Sequence, residues 1–250
     1  MASTIQAFSE AFSSYRSLMV DYAIYSLIIT IASMALSFFA ALGLGIFGVV
    51  SLGSVANVFT ADGSIGVAAV GVGVSLIALF IGLLIVLWVS SGLHGAYIAT
   101  INGFLSKRKQ TMEGFVLLIP KYAINLMILS IICGVLVGVP FVLAFALLPA
   151  LDQLLSIAAM LLLALYVIIA ALLLVFAMPS VVVDNKGPLS AIKVSVLLSI
   201  RNILQVFIYF VVAFVLAIPA MLPFINLIYI PFFYMPLTVS ALLRLYKSAR

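Results

Sequence analysis

Charge is what this chain has least of: Asp, Glu, Lys and Arg make up 7% of its 250 residues, where a water-soluble domain carries about a quarter. With 67% hydrophobic residues and a mean hydropathy of +1.47, too little polar surface is left to keep a folded chain dispersed in water. A soluble globular fold is excluded, and lipid becomes the expected solvent. A single cysteine, Cys133, lies inside an apolar run and excludes a disulfide framework. One histidine and one cysteine cannot assemble a typical zinc site, which takes three or four such ligands. No basic stretch precedes the first apolar run, so the N-terminus does not read as a removed signal peptide.

The charges that are present sit in short segments between apolar runs. A net +5 and a pI near 9.4 therefore suit anionic lipid headgroups, and no nucleic-acid partner is expected. A helix needs about 20 apolar residues to cross a hydrocarbon core roughly 30 Å thick. Five charge-free stretches meet that need: 22–61, 63–106, 122–151, 153–183 and 202–243. The last is broken by Pro219-Ala220-Met221-Leu222-Pro223, which turns the chain and makes two helices. The expected fold is all-α: a polytopic transmembrane helical bundle of about six spans.

Forty uncharged residues in 22–61 have room for two helices if Gly43, Gly45, Gly48 and Gly53 mark a turn. Charge placement favours one. With six spans, all eleven Lys and Arg residues fall on one side, opposite Asp62 and Asp152, and an extra span would destroy that asymmetry. The basic side is read as cytoplasmic, which places both termini there and the protein in the plasma membrane as a multi-pass chain.

Each basic segment leads into a span through an amphipathic stretch. The first spaces Ile5, Phe8, Phe12, Tyr15 and Met19 at threes and fours, with Ser9, Glu10, Ser13, Arg16 and Ser17 on the other face. The second, around Met112, Phe115 and Ile119, is expected to stop at Pro120-Lys121. The third starts at Gly187-Pro188 and aligns Leu189, Ile192, Val196 and Ile200. Three units of amphipathic helix plus hairpin follow within one membrane domain: 1–106, 107–178 and 179–250.

Candidate sites are few. Gly43-Leu44-Gly45-Ile46-Phe47-Gly48 has dinucleotide-binding spacing but no strand-to-helix context, so helix packing explains it better. Gly134 and Gly138 read as a small-residue helix contact, and Asn125, Gln205 and Asn226 as polar contacts between helices. His94, near Trp88 and Ser91, lacks a neighbouring triad. No acid or base lies near a span centre, which counts against proton coupling. Arg16, Lys107, Arg108, Lys109, Lys121, Lys186, Lys193 and Arg201 are the candidate contacts for anionic lipid.

The stretch Val181-Val182-Val183-Asp184-Asn185-Lys186-Gly187-Pro188-Leu189-Ser190-Ala191-Ile192-Lys193-Val194-Ser195, followed by Arg201-Asn202, resembles the membrane domain associated with glycerophosphoryl diester phosphodiesterases. It is also similar to related six-span bacterial and archaeal membrane families of unknown function. The resemblance implies a membrane module, without the acid and histidine set of a phosphodiesterase. The expectation is a non-enzymatic membrane protein with no cofactor and no metal, a lipid-interacting module or scaffold subunit. Membrane lipids, other membrane subunits or further copies of the chain are its expected partners. The alternatives are a transporter or pore for an apolar or amphipathic solute and, third, a lipid enzyme using Asp184, His94 and Ser91.

Overall fold

The structure is a computed structural model that describes residues 3–60, 65–108, 110–147, 152–222 and 224–250, without the side chains of 39, 46–60, 65–75 and 147. Asp62, Lys109 and Pro223 lie outside the described residues. In lipid a backbone must satisfy its own polar groups, and helices do so within one segment. The described residues accordingly form helices and no strand. They are α1 (Thr4–Thr60), α2 (Ile65–Leu105), α3 (Met112–Leu147), α4 (Gln153–Leu174), α5 (Ala177–Asp184), α6 (Pro188–Arg201), α7 (Ile203–Ala217), α8 (Ile225–Tyr229) and α9 (Met235–Ala249), with a 3₁₀ turn at Ile218–Met221 and a π turn at Ile230–Tyr234. Among the described residues six segments are long and apolar enough to cross a membrane: Thr4–Gly45, Leu76–Leu105, Met112–Ala146, Gln153–Asp184, Ile203–Met221 and Ile225–Ala249.

The 22–61 run is a single helix as far as it is described, since α1 continues to Thr60. Its one break is at Leu18 (φ −122°, ψ 19°), where the amphipathic segment meets the span. Asn202 breaks the chain in nearly the same conformation (φ −123°, ψ 30°) between α6 and α7. The second segment differs from expectation. It does not stop at Pro120, because α3 runs unbroken through Pro120 and Pro140. Proline forfeits one hydrogen bond, but its fixed φ is helical, and with apolar sequence on both sides the helix continues.

In the amphipathic helices the apolar residues read from spacing divide between an inward and an outward side. In α6, Leu189 and Ile200 are exposed, while Ala191, Ser195, Leu198 and Ser199 are buried. In α1, Phe8 and Tyr15 turn inward beside Ala7 and Ala11, and Ile5, Phe12 and Met19 are exposed. Lipid supplies no drive to hide apolar side chains from it, so large ones face outward and small ones let helices approach. On the same logic α4 has no buried residue.

A common register links the units. Tyr22-Ala23-Ile24 recurs as Tyr122-Ala123-Ile124, and Tyr15, Tyr22, Ala23, Ser26 and Ile29 are buried as are Phe115, Tyr122, Ala123, Leu126 and Leu129 one hundred residues on. Ala7, Ala11, Tyr15, Tyr22, Tyr25 and Ile29 likewise match buried Ala191, Ser195, Ser199, Val206, Tyr209 and Ala213, again at constant spacing. The third hairpin turns where its prolines predict, α7 ending at Ala217 just before Pro219.

Two local devices hold the bundle. A Cβ on Gly92 would lie 2.7 Å from the Ile119 carbonyl oxygen, and one on Gly95 would lie 2.6 Å from Tyr122 Cβ, so α2 and α3 meet at glycine. Between α4 and α5 the chain leaves the helix, and Ser195 Oγ repairs the break by accepting from Phe176 N (3.0 Å) and donating to Leu173 O (2.7 Å).

Candidate functional site

One end of the bundle gathers the basic residues. α2 ends and α3 begins there, and Tyr25 Oη ties α1 to the intervening segment by donating to Gln110 O (2.9 Å). Tyr122 Oη donates to Val182 O (3.4 Å), bringing the end of α5 alongside. Thr4 donates its N–H to Gln205 Oε1 (2.7 Å) and its hydroxyl to Gln205 O (2.8 Å), which fixes the start of α1 against α7. Arg244 Nη1 pairs with Glu10 (2.6 Å) and Nη2 donates to Ser14 Oγ (2.6 Å), closing the ring between α9 and α1.

Asp184 anchors this end. Its side chain is 7% exposed. Tyr246 Oη donates to Oδ2 (2.7 Å), Lys186 Nζ stands 3.6 Å from the same oxygen, and Arg250 Nη1 approaches Oδ1 at 2.8 Å as an ion pair off the line of a hydrogen bond. A buried carboxylate so partnered is a structural clasp, and no described bond joins it to His94 or Ser91.

Of the candidate lipid contacts, Arg16, Lys107, Arg108, Lys121, Lys193 and Arg201 are exposed and have no acidic partner among the described residues. Lys121 Nζ lies over the Tyr122 ring at 5.1 Å. Lys186 is committed to Asp184, and Lys109 lies outside the described residues. Among the expected contacts between helices, Gln205 makes one, to Thr4. Asn125 is exposed, and the described bond of Asn226 is its own backbone N–H to Leu222 O. Gly134 and Gly138 meet no atom within 4 Å of a modest added side chain, and Gly43 and Gly45 are equally open. Within the chain these glycines lie on outward helix surface, and the tight contact between α2 and α3 is made by Gly92 and Gly95.

Two neighbouring cavities, the second open to the outside, share two lining residues. The first, about 380 Å³, is lined by His94, Tyr97 and Ile98 of α2, Leu129, Ser130 and Cys133 of α3, residues around the α4–α5 break, and Met235, Val239, Leu242 and Leu243 of α9. The second, about 460 Å³, is lined by Ile29, Thr30, Ser33, Met34 and Ser37 of α1 with His94, Ile230 and Met235. Ile29, Thr30 and Ser33 stand one hundred residues before Leu129, Ser130 and Cys133, so the two cavities occupy equivalent places in the repeat register. His94 and Met235 border both. His94 Nδ1 lies 2.8 Å from Ser90 O. A carbonyl only accepts, so Nδ1–H donates, and Nε2 of the neutral ring is left as an acceptor.

Sequence reading missed Gly92, Gly95, Ser195 and the paired cavities. The identical Tyr-Ala-Ile tripeptides at 22 and 122 were the available signal for the last. Among the described residues no three His, Cys, Asp or Glu side chains converge as metal ligands would.

A helical bundle with six membrane-length apolar segments, one basic end and no strand among its described residues defines an all-α, multi-pass membrane protein. The chain belongs to the family described as Domain of unknown function (DUF7847), whose model matches residues 114–247. No curated protein and no solved structure matches it. The family match supports the likeness to membrane families of unknown function and carries no link to glycerophosphoryl diester phosphodiesterases.

Proposed function

We propose that the protein is a non-enzymatic membrane module whose basic end holds anionic lipid headgroups at the cytoplasmic leaflet of the plasma membrane. The observation that carries this reading is the set of six exposed cations, Arg16, Lys107, Arg108, Lys121, Lys193 and Arg201, without acidic partners at one end of the bundle. Each basic residue near an anionic surface contributes about 1 kcal/mol, and the first amphipathic helix adds exposed Ile5 and Phe12 that suit the acyl boundary. On this reading both termini are cytoplasmic, and the Asp184 clasp joins the end of α5 to α9 beside the cations.

The test compares the wild type with a variant carrying Arg16→Gln, Lys121→Gln, Lys193→Gln and Arg201→Gln, using native mass spectrometry of lipids retained from native membranes. The variant should lose anionic lipid and keep zwitterionic lipid. Equal anionic lipid in both proteins would remove the reading. Passage of an amphipathic solute is the second reading, favoured by the two cavities that share His94 and Met235. Uptake by proteoliposomes, absent from empty vesicles, is its measure.

A further inference from the structure

The two cavities are equivalent by position and different in chemistry. The wall that presents Ser33 in one presents Cys133 in the other, and the first cavity is lined almost wholly by apolar side chains. In the second, the hydroxyls divide into spent and spare. Thr30 Oγ1 donates to Ser26 O (2.8 Å) and Ser37 Oγ to Ser33 O (2.8 Å), returning their protons to the α1 backbone. Ser33 Oγ is buried and has no hydrogen-bond partner among the described residues. A buried hydroxyl without a partner is costly, and a molecule that enters the cavity can supply one. His94 lines the same cavity, with Nδ1 engaged and Nε2 left as an acceptor.

We infer that the paired cavities form one two-lobed site for a neutral amphipathic molecule with a single hydroxyl head and a hydrocarbon tail. The head lies in the α1 lobe, donating its proton to His94 Nε2 and accepting from Ser33 Oγ. The tail lies in the apolar lobe beside Cys133. Met235, which borders both lobes, is an unbranched and adaptable side chain suited to a partition that a tail can displace. Lobes of 380 and 460 Å³ fall in the range of small-molecule sites. A carboxylate head fits less well, because the acceptor nitrogen of a neutral His94 repels it and no lysine or arginine lines either lobe. This site is separate from the headgroup contacts proposed above and needs no anionic lipid.

Cys133, the one cysteine of the sequence, supplies the readout because it lines the tail lobe. The full chain, purified in a non-ionic detergent without anionic lipid, is alkylated at Cys133 by a small apolar maleimide in the presence of 1-dodecanol, dodecane or dodecanoate at equal concentration. Dodecanol should slow alkylation at a concentration at least tenfold below that needed for either of the others, since a buried hydrogen bond to a polar head is worth about a factor of ten. His94→Phe should abolish that preference, and His94→Gln, which keeps an acceptor, should restore it. Equal protection by dodecane and dodecanol, protection by none of the three, or an unchanged preference in His94→Phe overturns the inference. If His94→Phe does not fold, the wild-type comparison of the three probes and the Ser33→Ala variant, expected to weaken only the dodecanol effect, decide it. Equal anionic lipid on the wild type and the four-site Gln variant, with this preference intact, would sink the headgroup proposal alone.

Discussion

Replacing Gly92 by alanine tests the packing of α2 on α3 with an internal control on the same helix. The added methyl would sit 2.7 Å from the Ile119 carbonyl oxygen, 2.8 Å from Ile119 Cγ2 and 3.1 Å from Ala123 Cβ. The carbonyl belongs to the α3 backbone and cannot rotate aside, so the helices must part by roughly half an ångström, enough to forfeit about a quarter of the dispersion energy of neighbouring contacts. Overpacking of this kind costs about 1–3 kcal/mol. Alanine also favours the helix over glycine by about 1 kcal/mol, which hides part of that cost. Gly82→Ala isolates the hidden part, because nothing lies within 4 Å of a Cβ there. The propensity gain cancels between the two variants, and the difference in their stability is the steric cost. At roughly 2–4 °C per kcal/mol for a chain of this size, Gly92→Ala should melt about 2–12 °C below Gly82→Ala in the same detergent. Coincident midpoints would refute the claim that α2 and α3 meet at glycine, and with it the placement of His94 that the contact fixes.

Other outcomes follow from the same geometry. Tyr246→Phe removes the hydroxyl that donates to buried Asp184 at 2.7 Å, and should destabilise the fold by about 1.5–3 kcal/mol, as for a hydrogen bond to a charged group; chemical denaturation in detergent measures it, and the loss should shrink in an Asp184→Asn background. Ser195→Ala strands Phe176 N–H at the α4–α5 break and leaves Leu173 O to the longer bond from Ser199 Oγ (3.3 Å), with a cost of about 1–3 kcal/mol and faster hydrogen exchange at Phe176 than in the wild type. Gln205→Ala removes the side-chain acceptor used by Thr4, so exchange protection of residues 4–17 should fall while that of α9 is unchanged. A cysteine placed at Asp62 should react with an impermeant maleimide only from the side opposite to one placed at Arg16; reaction of both from one side would overturn the single crossing by α1.

Much of the architecture was legible because it depends on local properties. Pro219 marked the turn between the last two spans, and α7 ends at Ala217 as the missing N–H requires. Gly187-Pro188 marked the start of α6, with proline at its first position. Pro120 misled, since proline weakens a helix without always ending it. The apolar face of Leu189, Ile192, Val196 and Ile200 was legible, and what lies opposite it was not. Apolar spacing finds the buried face of a helix in water, but in lipid large apolar residues are at ease outside, and Ala191, Ser195 and Ser199 mark the inward face instead. For the candidate site, single residues were visible but their company was not. Asp184, His94 and Ser91 were separate names in the sequence, and the fold gives Asp184 to Tyr246 and Arg250 while it sets His94 between two cavities.

The sequence by itself determined the solvent, the helical class, the six membrane-length segments and the gathering of basic residues at one end. Apolar length and charge placement act segment by segment, so a linear reading captures them. Tertiary structure alone decided which faces turn inward, that Gly92 and Gly95 carry the close contact, and that Ile29, Thr30 and Ser33 and their counterparts Leu129, Ser130 and Cys133 line twin cavities around His94. In a chain that is apolar on nearly every side, hydrophobicity cannot distinguish lipid from neighbouring helix. That choice rests on shape, small residues and hydrogen-bond partners distant in sequence, and these meet only when the helices pack.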